Sequence, residues 1–394
     1  MSITAIILTQ GSELLNGSIT DTNSQFLCTK LYAQGVSILE TRCLPDDVDI
    51  QAQAFLESLH RADIVISCGG LGPTEDDCTR RACAQAFSSP LKEHPQALQK
   101  LQELYAKRKR TLYSHTRKMA SIPSCATWID NPSGSAPCFS ITKENHRLFC
   151  FPGVPQELYD LFAQEIVPII PAKKEPPLVV GCFGAGESTL MKVLHDIPQP
   201  ITFRATRKGI CVQFHASLTP IQKKDIETRL SPFLYAKGHF DMSRAIGERL
   251  VERGETLSTA ESCTSGAISA WITSIPGASR YFLEGSAVYS NEAKMRTCNV
   301  PKEEIMQFGA VSEEVAISLA NGIRERAGST WGLSVTGIAG PGGGTPTKPV
   351  GTVHIAVAGP QQTLHKKLQL SGNREQVLQS TMGYVMFMLY QQLH

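Results

Sequence analysis

The sequence predicts an α/β protein with more than one domain, and three observations carry that reading. Apolar runs of strand length, at residues 3–8 and 63–68, alternate with segments of helical spacing, the pattern of buried parallel strands joined through helices. At 394 residues the chain is too long for one ordinary core. Two strands run directly into glycine loops more than 250 residues apart, Gly69-Gly-Leu-Gly72 and Gly337 to Gly344. Ligands bind beyond the carboxyl ends of such strands, so two separate sites are expected. The flanks of the two loops differ, which argues against an internal repeat.

In order, residues 3–8 form a buried strand and not a signal peptide, because no basic segment precedes it. After the loop 9–17, Asp21-Thr-Asn23 can cap a helix from Ser24 to Gln34, which Gly35 ends. Val36 to Cys43 is a second strand, and a helix from about Ile50 to His60 precedes the third, 63–68. Gly69, Gly70 and Gly72 then let main-chain N–H groups approach a ligand. Thr74, Asp76 and Asp77 open the next helix. The carboxylate pair either holds a divalent ion that bridges phosphate oxygens or simply caps that helix.

Residues 96–110 make an amphipathic helix ending in Lys107-Arg-Lys-Arg110, read as a solvated face. A strand at 148–151 leads to a helix starting near Pro155, and four prolines and two lysines in 168–177 mark a linker. This separates domains at 1–170, 178–237 and 239–394. The middle one is a small α+β module in which Arg204, Arg207 and Lys208 either meet an anion or cover solvated strand ends.

In the third domain a β-leaning run, Thr256–Thr259, gives way to Glu261-Ser-Cys-Thr264 and then to apolar residues of helical spacing. Ser262 is expected at that helix's N-terminus, as a cap or, with a base nearby, as a nucleophile. Further on come a strand at 281–289, a helix opened by Ser290-Asn-Glu-Ala-Lys294, and a helix capped by Ser312. A strand at 331–336, the glycine loop 337–344, strands at 350–358 and 364–370, and a closing helix complete the chain.

Composition bounds the function. A net charge of +2 argues against a nucleic-acid binder, and no apolar run is long enough to span a bilayer. Twelve cysteines without a Cys-x-x-Cys pair point to reduced thiols in a cytoplasmic protein.

Together the motifs resemble the CinA (competence/damage-inducible) family over essentially the whole chain. Gly11-x-Glu-Leu-Leu-x-Gly17, Asp21-x-Asn23, Gly69-Gly-Leu-Gly-Pro-Thr-x-Asp-Asp77, Asn131 and Pro152-Gly-Val-Pro155 are similar to its molybdopterin-binding-like domain. Ala260-Glu-Ser-Cys-Thr264, Tyr289-Ser-Asn-Glu-Ala-Lys294, Gly309-Ala-Val-Ser312, Gly337-Ile-Ala-Gly-Pro341 and Lys348-Pro-Val-Gly-Thr352 resemble its nicotinamide-mononucleotide amidohydrolase domain.

The resemblance implies a three-layer αβα N-terminal domain and a C-terminal α/β domain, together a dimeric enzyme of pyridine-nucleotide recycling. The C-terminal domain would convert nicotinamide mononucleotide to nicotinate mononucleotide and ammonia without a cofactor. Ser262 would be the nucleophile, Lys294 the base and Thr336 a further catalytic group, with Tyr289, Asn291, Gly337, Gly340 and Arg374 around the substrate. The N-terminal domain would hydrolyse ADP-ribose with Mg, and K as a possible second ion. Asp76, Asp77 and Glu13 would hold the metal, and Gly69, Gly70, Gly72, Thr74 and Asn23 the nucleotide. A binding protein that holds a nucleotide or pterin without turnover is the other reading.

The residue chemistry is consistent with the first. A serine hydroxyl needs a base, and the nearby histidines, His354 and His365, fall in or at strands. Lys294 serves if burial lowers its pKa. The helix N-terminus after Ser262 is expected to supply oxyanion donors, and the glycine loop 337–344 to take the phosphate. Two departures from the family pattern are Ser265, where a glycine is usual, and Cys138, expected to narrow the N-terminal pocket.

Overall fold

A computed structural model describes residues 3–170, 178–197, 200–206, 208–215 and 218–393, and the chain divides into two compact units, Met1–Pro176 and Pro177–His394.

The first unit is built on a six-stranded sheet in the order Ser37–Leu44, Thr4–Gln10, Ile64–Cys68, His146–Phe151, Cys138–Lys143, Thr127–Ile129. Neighbours among the first four strands are parallel, but the last two strands run antiparallel, so the wholly parallel sheet expected above is corrected to a mixed one. Side chains alternate along each strand. Ile6, Leu8, Val65 and Leu148 pack against Phe55, Leu59 and Ala82. Ala5, Ile7, Ile66 and Phe149 pack against Leu27, Leu31 and Leu158 on the other face. Helices therefore cover both faces, giving three layers, and each fully buried Leu, Ile or Phe contributes about 1.5–3 kcal/mol.

Helix Thr22–Ala33 starts as its sequence asks, with Asp21 accepting the Ser24 N–H at 2.9 Å. Thr74, Asp76 and Asp77 do not open a helix; the next one is Thr79–Ala86. Asp77 instead accepts both the N–H and the hydroxyl of Thr74, and this side-chain turn competes with helix formation. Residues 107–110 are exposed, as a solvated run should be. Of the linker, residues 171–177 lie outside the described residues.

The second unit holds two sheets. The strands Ile201–Thr206, Gly209–Phe214, Leu178–Cys182 and Leu234–Lys237 form a four-stranded antiparallel sheet in that order. Helices Glu187–Val193 and Pro220–Leu230 close its core around Val180, Phe214 and Ile226. Phe183, one residue past this sheet, belongs to the core of the following domain and meets Tyr384 edge-on at 5.0 Å. Arg204 and Lys208 lie over the rings of Phe240 and Trp271, at 4.2 and 4.7 Å, while Arg207 is outside the described residues.

The other sheet has five strands, in the order Phe282–Ala287, Leu257–Glu261, Trp331–Gly337, Thr352–Ala358, Thr363–Gln369. Neighbours among the first three are parallel and the last two strands are antiparallel, again mixed. Helices Met242–Arg253, Ala267–Thr273 and Arg374–Tyr390 cover one face, and Glu313–Ala327 the other.

The helix after the first parallel pair begins at Ala267, five residues later than Ser262. Ser265 and Gly266 adopt φ of 50° and 98°, left-handed values that no right-handed helix can include. Ser262 therefore lies in a loop, 262–266, and is not a helix cap. No described helix is long and apolar enough to cross a membrane, and all twelve cysteines are free thiols.

Candidate active site

The loop 262–266 leaves the carboxyl end of strand Leu257–Glu261 between two neighbouring strands. On one side the Ser262 N–H donates to Val335 O at 3.0 Å, next to Thr336, whose hydroxyl donates to Ala310 O at 2.7 Å. On the other side Glu261 O accepts the Val288 N–H at 2.8 Å. The Val288–Tyr289 turn holds Lys294, whose Nζ donates to Val288 O at 2.9 Å and to Tyr289 O at 3.1 Å. Lys294 is on helix Asn291–Cys298, which starts because Ser290 accepts the Ala293 N–H.

Lys294 is 1 % exposed, and burial holds its pKa below the ordinary lysine value. A neutral amine has two N–H bonds and one lone pair. Two carbonyls satisfy the donors and leave the lone pair for a proton. Ser262 is 8 % exposed and within reach of solvent.

Cys263, the residue after Ser262, reports the local field. Burial pushes its thiol up to about 11, while its own N–H, the Thr264 N–H and Arg374 pull the other way. The bonds from Glu261 O to Val288 N–H and from Val288 O to Lys294 Nζ tie the strand end before the loop to the lysine. Arg374 also donates to Gly340 O at 3.0 Å, which ties it to the second glycine loop. Gly337 is required by close approach, since a Cβ there would come within 2.7 Å of Val353. Tyr289 enters through its carbonyl while its ring is 61 % exposed, and Asn291 is exposed on the first turn of its helix. His354 is bonded to His365 at 3.0 Å and depressed to about 4, which makes it a poor base.

The helix N-terminus expected to supply oxyanion donors is already occupied. The first-turn amides of helix Ala267–Thr273 are occupied by the Glu261 carboxylate, which accepts Gly266, Ile268 and Ser269 N–H at 3.0, 3.0 and 2.8 Å. The Cys263 and Thr264 N–H groups have no oxygen acceptor among the described residues, and the buried Thr264 hydroxyl has no partner there either. Sequence reasoning had left Glu261 without a role. The available signal was a carboxylate just before a helix start.

In the first unit, a cleft of about 390 Å³ lies at the carboxyl ends of the strands. Gly69, Gly70 and Gly72 line it together with Glu13, Asp46, Asp76, Asp77 and Glu157, and no Lys or Arg does. At Gly70, φ is 64° and a Cβ would meet the Thr79 hydroxyl at 2.3 Å, so only glycine fits. Thr74 and Asn23 act from behind the lining: Thr74 holds Asp77, and Asn23 Nδ2 donates to Gly153 O at 2.8 Å. Asp46 and Glu157 were not singled out from sequence. Asp46 accepts the Ser12 N–H at 2.9 Å, and Glu157 accepts from Asn131 at 2.7 Å. Cys138 is fully buried outside the lining, so it does not narrow the pocket.

Carboxylate oxygens suit a hard divalent ion. Among the described residues, however, no group of three His, Cys, Asp or Glu side chains converges to hold a metal. Asp77 Oδ2 accepts from Thr74 and Asp46 Oδ2 from Ser12. The side chains as they stand do not form a ligand set for Mg.

Residues 239–393 match the CinA C-terminal domain and residues 6–172 a probable molybdopterin binding domain. A CinA-like protein of Kosmotoga olearia is 37% identical over 394 residues, covering 95% of each chain. A putative competence-damage inducible protein of Symbiobacterium thermophilum is 37% identical over 398 residues, covering 93% of each. A solved competence/damage inducible protein from Agrobacterium tumefaciens is 35% identical over 39% of this chain and 96% of its own, at a TM-score of 0.37. The chain belongs to the CinA family, with a molybdopterin-binding-like N-terminal domain and a CinA C-terminal domain.

Proposed function

We propose that the C-terminal domain hydrolyses the carboxamide of nicotinamide mononucleotide, with Ser262 as nucleophile and Lys294 as base. The observation that carries this is geometric: the buried Lys294 is held by the Val288–Tyr289 turn, and Glu261 O, one residue before Ser262, accepts the Val288 N–H of that same turn. Lys294 Nζ takes the Ser262 proton as Oγ attacks the amide carbon. The C–N bond then breaks, and the same proton leaves with the nitrogen as ammonia. Water repeats the sequence: it loses a proton to Lys294, attacks the acyl-serine, and Ser262 Oγ recovers the proton. Loop amides 263 and 264, which face the Cys263 sulfur and have no oxygen acceptor among the described residues, would serve as donors for the tetrahedral oxyanion. Thr336 and Arg374 flank the loop, where Arg374 suits the substrate phosphate.

Incubation with nicotinamide mononucleotide should release ammonia and nicotinate mononucleotide in equal amounts. Binding without either product would favour the nucleotide-holding regulatory protein instead.

For the N-terminal cleft we infer a nucleotide site, ADP-ribose being the candidate substrate. The glycine wall supports it. A diphosphate entering a lining of five carboxylates needs cations to offset the repulsion. Release of AMP from ADP-ribose, with and without Mg, tests this reading. The protein is proposed to act as a cytoplasmic dimer, which sedimentation would check.

A further inference from the structure

We propose that Glu261 is the positioning residue of the nucleophile loop, an inference that rests on the Ser262 reading above. It is 1 % exposed, and both carboxylate oxygens are fully used. Oε2 accepts Gly266 and Ile268 N–H, each at 3.0 Å, and Oε1 accepts Ser269 N–H at 2.8 Å and the Ser269 hydroxyl at 2.6 Å. Its main chain faces the other way: Glu261 O accepts Val288 N–H, and Val288 O accepts Lys294 Nζ. One residue thus ties the far end of the loop to the strand end and, through its backbone, links that strand end to the turn that carries the base.

Two consequences follow for chemistry. The carboxylate closes residues 262–266 into a ring, which holds Ser265 and Gly266 at left-handed φ. By occupying the helix amides it also leaves only the loop's own N–H groups to face a developing oxyanion. A carboxamide replaces it poorly, because wherever its NH₂ is placed it faces at least one amide N–H that has then lost its acceptor.

The test uses the full-length protein and ammonia release from nicotinamide mononucleotide, with kcat expressed per folded molecule by circular dichroism. Glu261→Gln should lower kcat by about 10²-fold, the cost of a small misplacement of a reacting group. KM should stay within about threefold, and the pH profile should be unchanged because the backbone still holds Lys294. Ser269→Ala, which keeps the carboxylate and three amide bonds and is expected to fold, should lower kcat about three- to tenfold at constant KM. A kcat for Glu261→Gln within threefold of wild type, or a wild-type kcat for Ser269→Ala, overturns the inference, the latter even if Glu261→Gln does not fold. A parent protein that releases no ammonia overturns the Ser262 reading itself.

Discussion

The two glycine-loop regions solve opposite electrostatic problems. The N-terminal cleft is open, lined by five carboxylates and no basic side chain, and three of those carboxylates accept hydrogen bonds from Ser12, Thr74 and Asn131. The C-terminal site buries a lysine and keeps the Glu261 carboxylate fully hydrogen-bonded. A glycine loop after a strand therefore says only that backbone can approach a ligand. The charges around it decide whether the site suits an uncharged amide with a phosphate tail or an anion that must arrive with counter-ions.

The sharpest way to break this contrast is to remove the nucleophile. Ser262→Ala should lower ammonia release by at least about 10³-fold while leaving substrate binding measurable by calorimetry. Cys263→Ala should keep kcat within about fivefold, because a thiol raised to about 11 is protonated at neutral pH. The reverse ranking of the two variants would make Cys263 the nucleophile.

Asp76→Asn sharpens the other half. It should reduce ADP-ribose hydrolysis at least about tenfold and leave deamidation unchanged, since Asp76 lines the N-terminal cleft. Loss of both activities in a folded variant would contradict the independence of the two sites.

The smallest effect is expected at Ser265. A non-glycine residue at φ 50° costs about 1–2 kcal/mol, and glycine's greater unfolded-state entropy offsets about half of that. Ser265→Gly should raise stability by up to about 1 kcal/mol, seen as a higher Tm, with kcat within twofold. A lower Tm would mean the side chain supports the loop.

Most strands were legible from the sequence because their apolar runs have no alternative but burial. The same is true of helix starts with an unambiguous cap, such as Asp21, Ser290 and Ser312. Two helix starts were misplaced, at 74 and at 262, for one physical reason. In each case a carboxylate, Asp77 or Glu261, bonds to loop or first-turn donors and delays the helix, and composition does not reveal which donors it takes. The strands Cys138–Lys143 and Thr127–Ile129, which finish the first sheet, were not legible, whereas the two that finish the second were, though not their antiparallel direction, since pairing direction leaves no mark on a short apolar run. Ser262, Lys294, Thr336 and Arg374 came from motif resemblance. The fold sets the Ser262 loop beside Thr336 on the next strand and beside the turn that holds Lys294.

The most direct measurement is kcat for ammonia release against pH, for the wild type and for Lys294→Arg. A protonated amine cannot accept the serine proton, so wild-type kcat should rise with pH and level off above the Lys294 pKa, which lies below the ordinary 10.5. Lys294→Arg should be about 10²- to 10⁴-fold slower across the range, because guanidinium stays charged. An arginine variant with near-normal kcat, its defect confined to KM, would show that Lys294 only attracts the phosphate and would contradict the serine–lysine mechanism.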